Sequence, residues 1–257
     1  MAQKGKRTKK NRFIKSVKRI FRKNKKLLLS LAAFILVLCI SLIFGNQIFG
    51  DRGTNDHIPK ATLDSIPEFD GENPYVIIND NIPFFTDEEK VTESYEKYGD
   101  LDGLGRCTVC IACVGIDIMP TEDRESISSV KPSGWINAEY DFISGGYLYN
   151  RCHLIGFQLT GENANKQNLI TGTKYLNIEG MLPFENQIAD YVKETENHVI
   201  FRVTPIYKGD NLVASGVLLE AWSVEDDGDG ICFCIYAYNC QPGVIIDYAT
   251  GESRAEK

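Results

Sequence analysis

Hydrophobic and polar positions follow different periods along the chain. The first feature is an apolar run of 18 residues, 27–44, interrupted by Ser30 and Ser41. As a helix rising 1.5 Å per residue it spans roughly 27 Å, the depth of a thin hydrocarbon core, and residues 45–50 extend it. This predicts a transmembrane anchor over residues 27–49. Residues 50–73 are polar, contain Pro59 and Pro67, and read as a linker. The pattern then predicts a short strand at 75–78, a charged helix or loop at 87–98 and a buried strand at 106–119. Lys131-Pro132-Ser133-Gly134-Trp135 breaks that pattern with turn chemistry. A short strand at 147–149 carries the chain to His153. Helical periodicity runs from Thr173 to about Glu194, with Gly180 and Pro183 inside it. Pro183 could instead open a second helical piece, where its missing N–H costs nothing. Residues 199–206, 212–224 and 231–239 predict three strands, with Asp226-Asp227-Gly228-Asp229-Gly230 as the turn between the last two. The expected fold class is α+β over residues 74–250, a central antiparallel sheet flanked by helices, with 251–257 as a tail.

Charge changes this picture at the N-terminus. Residues 1–50 hold 13 of the 28 Lys and Arg and no Asp or Glu. The rest carries 15 basic against 35 acidic residues, a formal charge of about −20 that the whole-chain value of −7 conceals. A basic segment, residues 1–26, directly before an apolar span should stay in the cytoplasm, so the body is expected outside the cell on a single-pass membrane anchor. A cleaved signal peptide would have a shorter apolar region and a small-residue cleavage site, and GNQIFGDRG offers none.

Seven of the eight cysteines lie in the body, an odd number, so at least one thiol stays unbridged within the chain. Cys107, Cys110 and Cys113 share a segment read as a strand. There Cys110 faces away from the other two, which favours core packing or disulfides to Cys232, Cys234 or Cys240 over a metal site. The Asp/Gly run at 226–230 lacks the bidentate Glu of a calcium loop.

Of three histidines, His57 lies in the linker and His198 opens a strand, where an edge role is expected. His153 follows Asn150-Arg151-Cys152 and precedes a polar stretch. The run NRCHLIGFQLTGENANKQNLITGTKYLNIEGMLPFEN resembles the DNA/RNA non-specific endonucleases, the ββα-metal nucleases. Within them it looks closest to membrane-anchored DNA-entry nucleases and secreted DNases of Gram-positive bacteria. The family signature is Asp-Arg-Gly-His, then an Asn in a loop, then a helix carrying a metal-binding Asn and a Glu. Here Asn150-Arg151-Cys152-His153 stands at the signature, Asn168 in the loop, Asn177 at the metal position and Glu185 eight residues on.

The resemblance implies a ββα-metal fold and metal-dependent hydrolysis of phosphodiester bonds in DNA, with RNA as a further substrate. His153 would be the general base, suited by an imidazole that is neutral near physiological pH. Asn177 would bind Mg²⁺, with Mn²⁺ as a substitute, and Glu185 would hold the metal through water. Arg151 would clamp a phosphate, and Asn168 and Lys174 would contact substrate. On an unbroken helix Asn177 and Glu185 would sit about 80° apart. Two positions depart from the signature: Asn150 replaces Asp and Cys152 replaces Gly. The alternative is an inactive domain that binds DNA during uptake. An acidic body is poorly made for phosphate binding, so a basic strip of Arg151, Lys166, Lys174 and Lys193 beside His153 is expected.

Overall fold

The computed structural model describes residues 57–256. The chain divides into two units, Met1–Asp51 and Arg52–Lys257, and every described residue belongs to the second. The expected anchor and the basic segment before it lie outside the described residues. Among the described residues no helix is long and apolar enough to cross a membrane.

Six strands form one antiparallel sheet in the order β1-β8-β7-β6-β3-β2. They are β1 (Tyr75–Ile77), β2 (Tyr95–Tyr98), β3 (Cys110–Val114), β6 (Val199–Ile206), β7 (Gly216–Ser223) and β8 (Cys232–Tyr238). The three long strands are buried along almost their whole length, because both faces of the sheet are covered. That is why they read in sequence as continuous apolar runs rather than alternating ones. Pro205 is tolerated in β6 because β3 pairs no further than Val203, so the proline nitrogen lies past the ladder on that side.

One face of the sheet carries the main core, built with α3 (Leu182–Thr195) through Phe184, Ile188 and Val192. The other face is covered by residues expected to be a linker. Ile58 is buried there, α1 (Lys60–Asp64) follows it, and Ile66 and Phe69 pack on Tyr236 and Tyr238. The linker expectation is therefore corrected from His57 onward. The anchoring is ionic as well as apolar. Arg202 on β6 and Glu220 on β7 face each other in register and pair bidentately at 2.9 Å, while His57 Nε2 reaches Glu220 at 3.2 Å. Burial raises the Glu220 carboxyl, but the bonds from His57 and Arg202 outweigh that and hold it at about 2. The expected tail is also structured, since β9 (Val244–Ile246) and β10 (Ser253–Ala255) form a hairpin. No helix forms at 87–98, where a loop leads into β2.

All seven body cysteines are free, and five are buried, so the disulfide alternative is corrected in favour of packing. Cys107 lies before the strand rather than in it, and its thiol and that of Cys110 both meet backbone carbonyls of residues 166–169.

Candidate active site

A second, two-stranded sheet carries the histidine. β4 (Tyr149–His153) pairs with β5 (Leu169–Thr173), with His153 opposite Leu169 at the hairpin's far end. Asn239, fully buried at the end of β8, fastens this hairpin to the main sheet. It accepts from Thr173 N at 2.8 Å and donates to the carbonyls of Thr171 and Ala214. Thr171 donates to Ser133 O, and Ser133 to Leu212 O, so the 131–135 turn is tied in as well.

After His153 the chain turns through Leu154 and Ile155 into Gly156 and the short helix α2 (Phe157–Thr160). Asn168 is buried and spends its amide on this turn, accepting from Ile155 N and donating to Ile155 O, both at 2.9 Å. It acts as a clamp on the histidine's loop and not as a substrate contact, which corrects one expectation. Gly156 is required for a different reason. A Cβ there would lie 2.7 Å from the Glu185 carboxyl, so the glycine admits that carboxyl against the backbone.

Asn177 and Glu185 come from one helical run. Residues 174–195 are continuously helical, but Leu176–Met181 is a π-helical turn. Such a turn takes up one extra residue and breaks the i→i−4 ladder where Pro183 would otherwise clash. Eight residues then span about seven α-helical steps, which brings Asn177 and Glu185 to within roughly 20° of the same face. Asn177 Oδ1 accepts from the Cys152 thiol at 3.1 Å. Cys152 at the signature's Gly position is accommodated by Gly172 on β5, where a Cβ would lie 2.5 Å from that of Cys152.

His153 is buried, and its Nε2 lies 2.8 Å from the carbonyl of Asn163. A carbonyl only accepts, so Nε2 carries the proton and Nδ1 the lone pair. Burial lowers the imidazole below its ordinary 6.5, reinforced by the positive charge of Arg124 and opposed by bonds to the backbone at Asn163 and Glu162. The result is a neutral ring at physiological pH with a basic nitrogen available. Glu185 shifts the other way. Burial raises it to about 7, against the Gly156 N–H and again Arg124. Arg124 is the residue that sequence reasoning missed. It lies on an irregular segment folded back over α2, with its guanidinium 5.4 Å from the Phe157 ring, and its charge acts on both His153 and Glu185.

The other expected cations divide. Arg151 shares the His153 face of β4, stacks over Trp135 at 4.2 Å and donates through Nε to Val130 O. Its Nη groups make no protein hydrogen bond among the described residues, which leaves one edge of the guanidinium for an anion. Lys174 follows Thr173 at the opposite end of the hairpin and donates to Ser144 O, so it is not brought to His153. Lys193 is in the last turn of α3, two turns beyond Glu185. Two of the four expected cations, Lys174 and Lys193, are thus held away from His153; Arg151 and Arg124 lie near it, and Lys166 is exposed in the loop between Asn163 and Leu169.

These placements have a counterpart in known proteins. Residues 87–225, more than half of the chain, match the family model of the DNA/RNA non-specific endonucleases. The chain belongs to that family. A deoxyribonuclease of Streptococcus dysgalactiae subsp. equisimilis is 27% identical across an alignment 209 positions long that covers 65% of this chain and 62% of that protein. This chain thus spans less than two thirds of that relative's length. Among solved structures, NucA from Streptococcus agalactiae with magnesium ion bound aligns at a TM-score of 0.65 and 25% identity, covering 77% of this chain and 93% of that one. Sda1 nuclease with bound zinc ion aligns at 0.59 and 25% identity, covering 72% and 97%. The mixed fold with its antiparallel sheet and few helices is the family's.

The donors around His153 can be tested against a metal. Among the described residues no three His, Cys, Asp or Glu side chains converge on one point, so a closed protein cage is excluded there. Asn177 and Glu185 instead offer two hard oxygen donors on one helical face, one of them a buried carboxyl whose charge has little to balance it. Such a set fits a dication that keeps most of its waters.

Proposed function

We propose that this chain is a divalent-metal-dependent endonuclease that hydrolyses phosphodiester bonds of DNA, and of RNA, with little sequence preference. The observation that carries the reading is the His153 geometry: a buried, neutral imidazole with its Nε2 proton fixed on Asn163 O and Nδ1 left to accept. That nitrogen takes the proton of the attacking water. Arg151, through its uncommitted Nη edge, and Arg124 neutralise the phosphate as it gains charge. Asn177 and Glu185 would hold a Mg²⁺, with Mn²⁺ as a substitute, the Glu through water. The ion would supply Lewis-acid stabilisation of phosphate and leaving oxygen. Magnesium and zinc in the related structures support a dication without choosing between them.

The apolar run at 27–44, with 13 basic residues before it, supports an anchor that leaves the nuclease domain outside the cell. Protease added to intact cells should remove the domain.

Supercoiled plasmid with Mg²⁺ tests the activity. The purified chain should cut it, chelator should stop the cutting, and His153→Ala should slow it by at least about 100-fold, the contribution of a general base. Asn177→Ala should do the same and lose the response to Mg²⁺. Plasmid bound but intact in every lane would replace the enzyme with a DNA-binding domain.

A further inference from the structure

Beside the His153 loop lies a hollow of about 300 Å³ that none of the hydrolytic groups occupies. Its link to the chemistry is Asn163, which lines it and whose carbonyl holds His153 Nε2 at 2.8 Å. Met119, buried, and Pro120 give it an apolar floor, and the half-buried ring of Phe157 forms a wall. Around the mouth stand Glu122, Asp123 and Glu125, all exposed.

The lining excludes two kinds of occupant. Three carboxylates repel a phosphate. A metal ion would need them to converge, and among the described residues no three such groups do. What fits is a flat body with an apolar face for Phe157 and N–H donors on its edge. In a nucleic acid that is an unstacked base, which proteins take up by stacking on aromatic rings and bonding its Watson–Crick edge. A carboxylate selects among bases. Guanine alone presents two adjacent N–H donors, N1–H and N2–H, to its two oxygens. Adenine, cytosine and thymine each place a ring nitrogen acceptor or a carbonyl beside the donor, which a carboxylate repels. Arg124, over Phe157 and acting on His153 and Glu185, is flanked in sequence by Asp123 and Glu125 of this lining.

We propose that the hollow is a base subsite that receives an unstacked guanine flanking the scissile phosphate, so that a nuclease of broad specificity keeps a preference at one position. The cut strand places guanine at a fixed step from the break because Asn163 joins the subsite to the general base. The inference rests on the nuclease reading for its meaning, and its test separates the two.

The full chain in detergent with Mg²⁺ is given random-sequence single-stranded DNA, and bases around each cut are counted. Guanine should be enriched at least roughly tenfold at one fixed position, the low end of what a charge-assisted hydrogen bond supplies, since stacking on Phe157 is shared by every base. The surface triple variant Glu122→Gln, Asp123→Asn, Glu125→Gln should bring the enrichment close to one while cutting continues. Phe157→Leu, which keeps the apolar volume, should lower it partially. Flat base frequencies in the parent protein, or enrichment unchanged in the triple variant, overturn the proposal. A second measurement is independent of hydrolysis: saturation-transfer NMR of the His153→Ala chain with guanosine and, separately, thymidine. Guanosine signals should exceed those of thymidine at least threefold and fall to the thymidine level in the triple variant; equal signals overturn the subsite. Guanosine binding without cleavage of any DNA by the parent would sink the nuclease reading and leave the base site standing.

Discussion

Glu185 is a carboxyl buried in the main core's flank, and what its charge meets is one backbone N–H and the field of Arg124. Its folded-state value of about 7 lies above the ordinary 4.5, so the sign of its effect on stability is fixed. The contribution is complete below 4.5, where both states are protonated, and is lost as pH rises through 7. At pH 8 the loss is on the order of 3 kcal/mol for the metal-free protein. Thermal melts in chelator should therefore fall between pH 5 and 8, and Glu185→Gln should flatten that fall. Mg²⁺ should restore the parent at pH 8 and leave the variant unmoved. Parallel pH curves for parent and variant would remove Glu185 from the metal site. His153 has the opposite sign: its value is lowered, so its contribution is present above 6.5 and is lost as pH falls. The acid limb of activity should accordingly lie below 6.5, measured as kcat/KM against pH. His153, Asn177 and Glu185 were legible in the sequence because their spacing is local. Arg124 was not. Its approach depends on the 121–127 segment folding back onto α2, and no periodicity announces that.

At the scale of elements, the π-helical turn carries the site's geometry. The sequence pattern marked the helix from Thr173 to Glu194 and the interruption at Gly180 and Pro183, and the helix does run to Thr195. The pattern offered two helical pieces or one, and it did not contain the third solution, a widened turn that absorbs Pro183 and realigns the two donors. A π turn is an insertion, so it should be removable. Deleting the exposed Glu179 together with Pro183→Ala leaves Asn177 and Glu185 seven regular α-helical steps apart, still on one face. Mg²⁺-dependent cutting should stay within about tenfold of the parent. Inserting one alanine after Glu179 rotates Glu185 by about 100° and should cost more than 100-fold. Circular dichroism should show both variants helical. A deletion as inactive as the insertion would mean that the π turn itself, and not the facing it produces, is needed. The strands show the same division between local and non-local information. β6 was readable to the residue, because its apolar run is long and bounded. β2 was missed, because Tyr95–Tyr98 is a half-exposed edge strand whose partner, β3, defines it.

For the molecule as a whole, the division of charge decides how it meets its substrate. The body carries about −20 by composition, and of its cations only Arg124 and Arg151 have their guanidinium groups placed at the site, with Lys174 and Lys193 held away. Long-range attraction to DNA is therefore weak, and binding relies on a few short contacts. Each phosphate neutralised contributes about −0.9 to the slope of log affinity against log salt on duplex DNA. Two cations thus predict a slope near −2, or about a tenfold loss between 50 and 200 mM NaCl. The 13 basic residues of the first 50 are the one large reservoir of positive charge, and their side of the membrane controls whether they add to that slope. In the proposed topology they face the cytoplasm and take no part. The full chain reconstituted into vesicles with its domain outward should then show the shallow slope for kcat/KM on external duplex DNA. A slope of about −8 or steeper would require those residues at the DNA, since the body has too few cations beside the site to produce it. That outcome would overturn the topology and make the basic segment part of the substrate-binding surface.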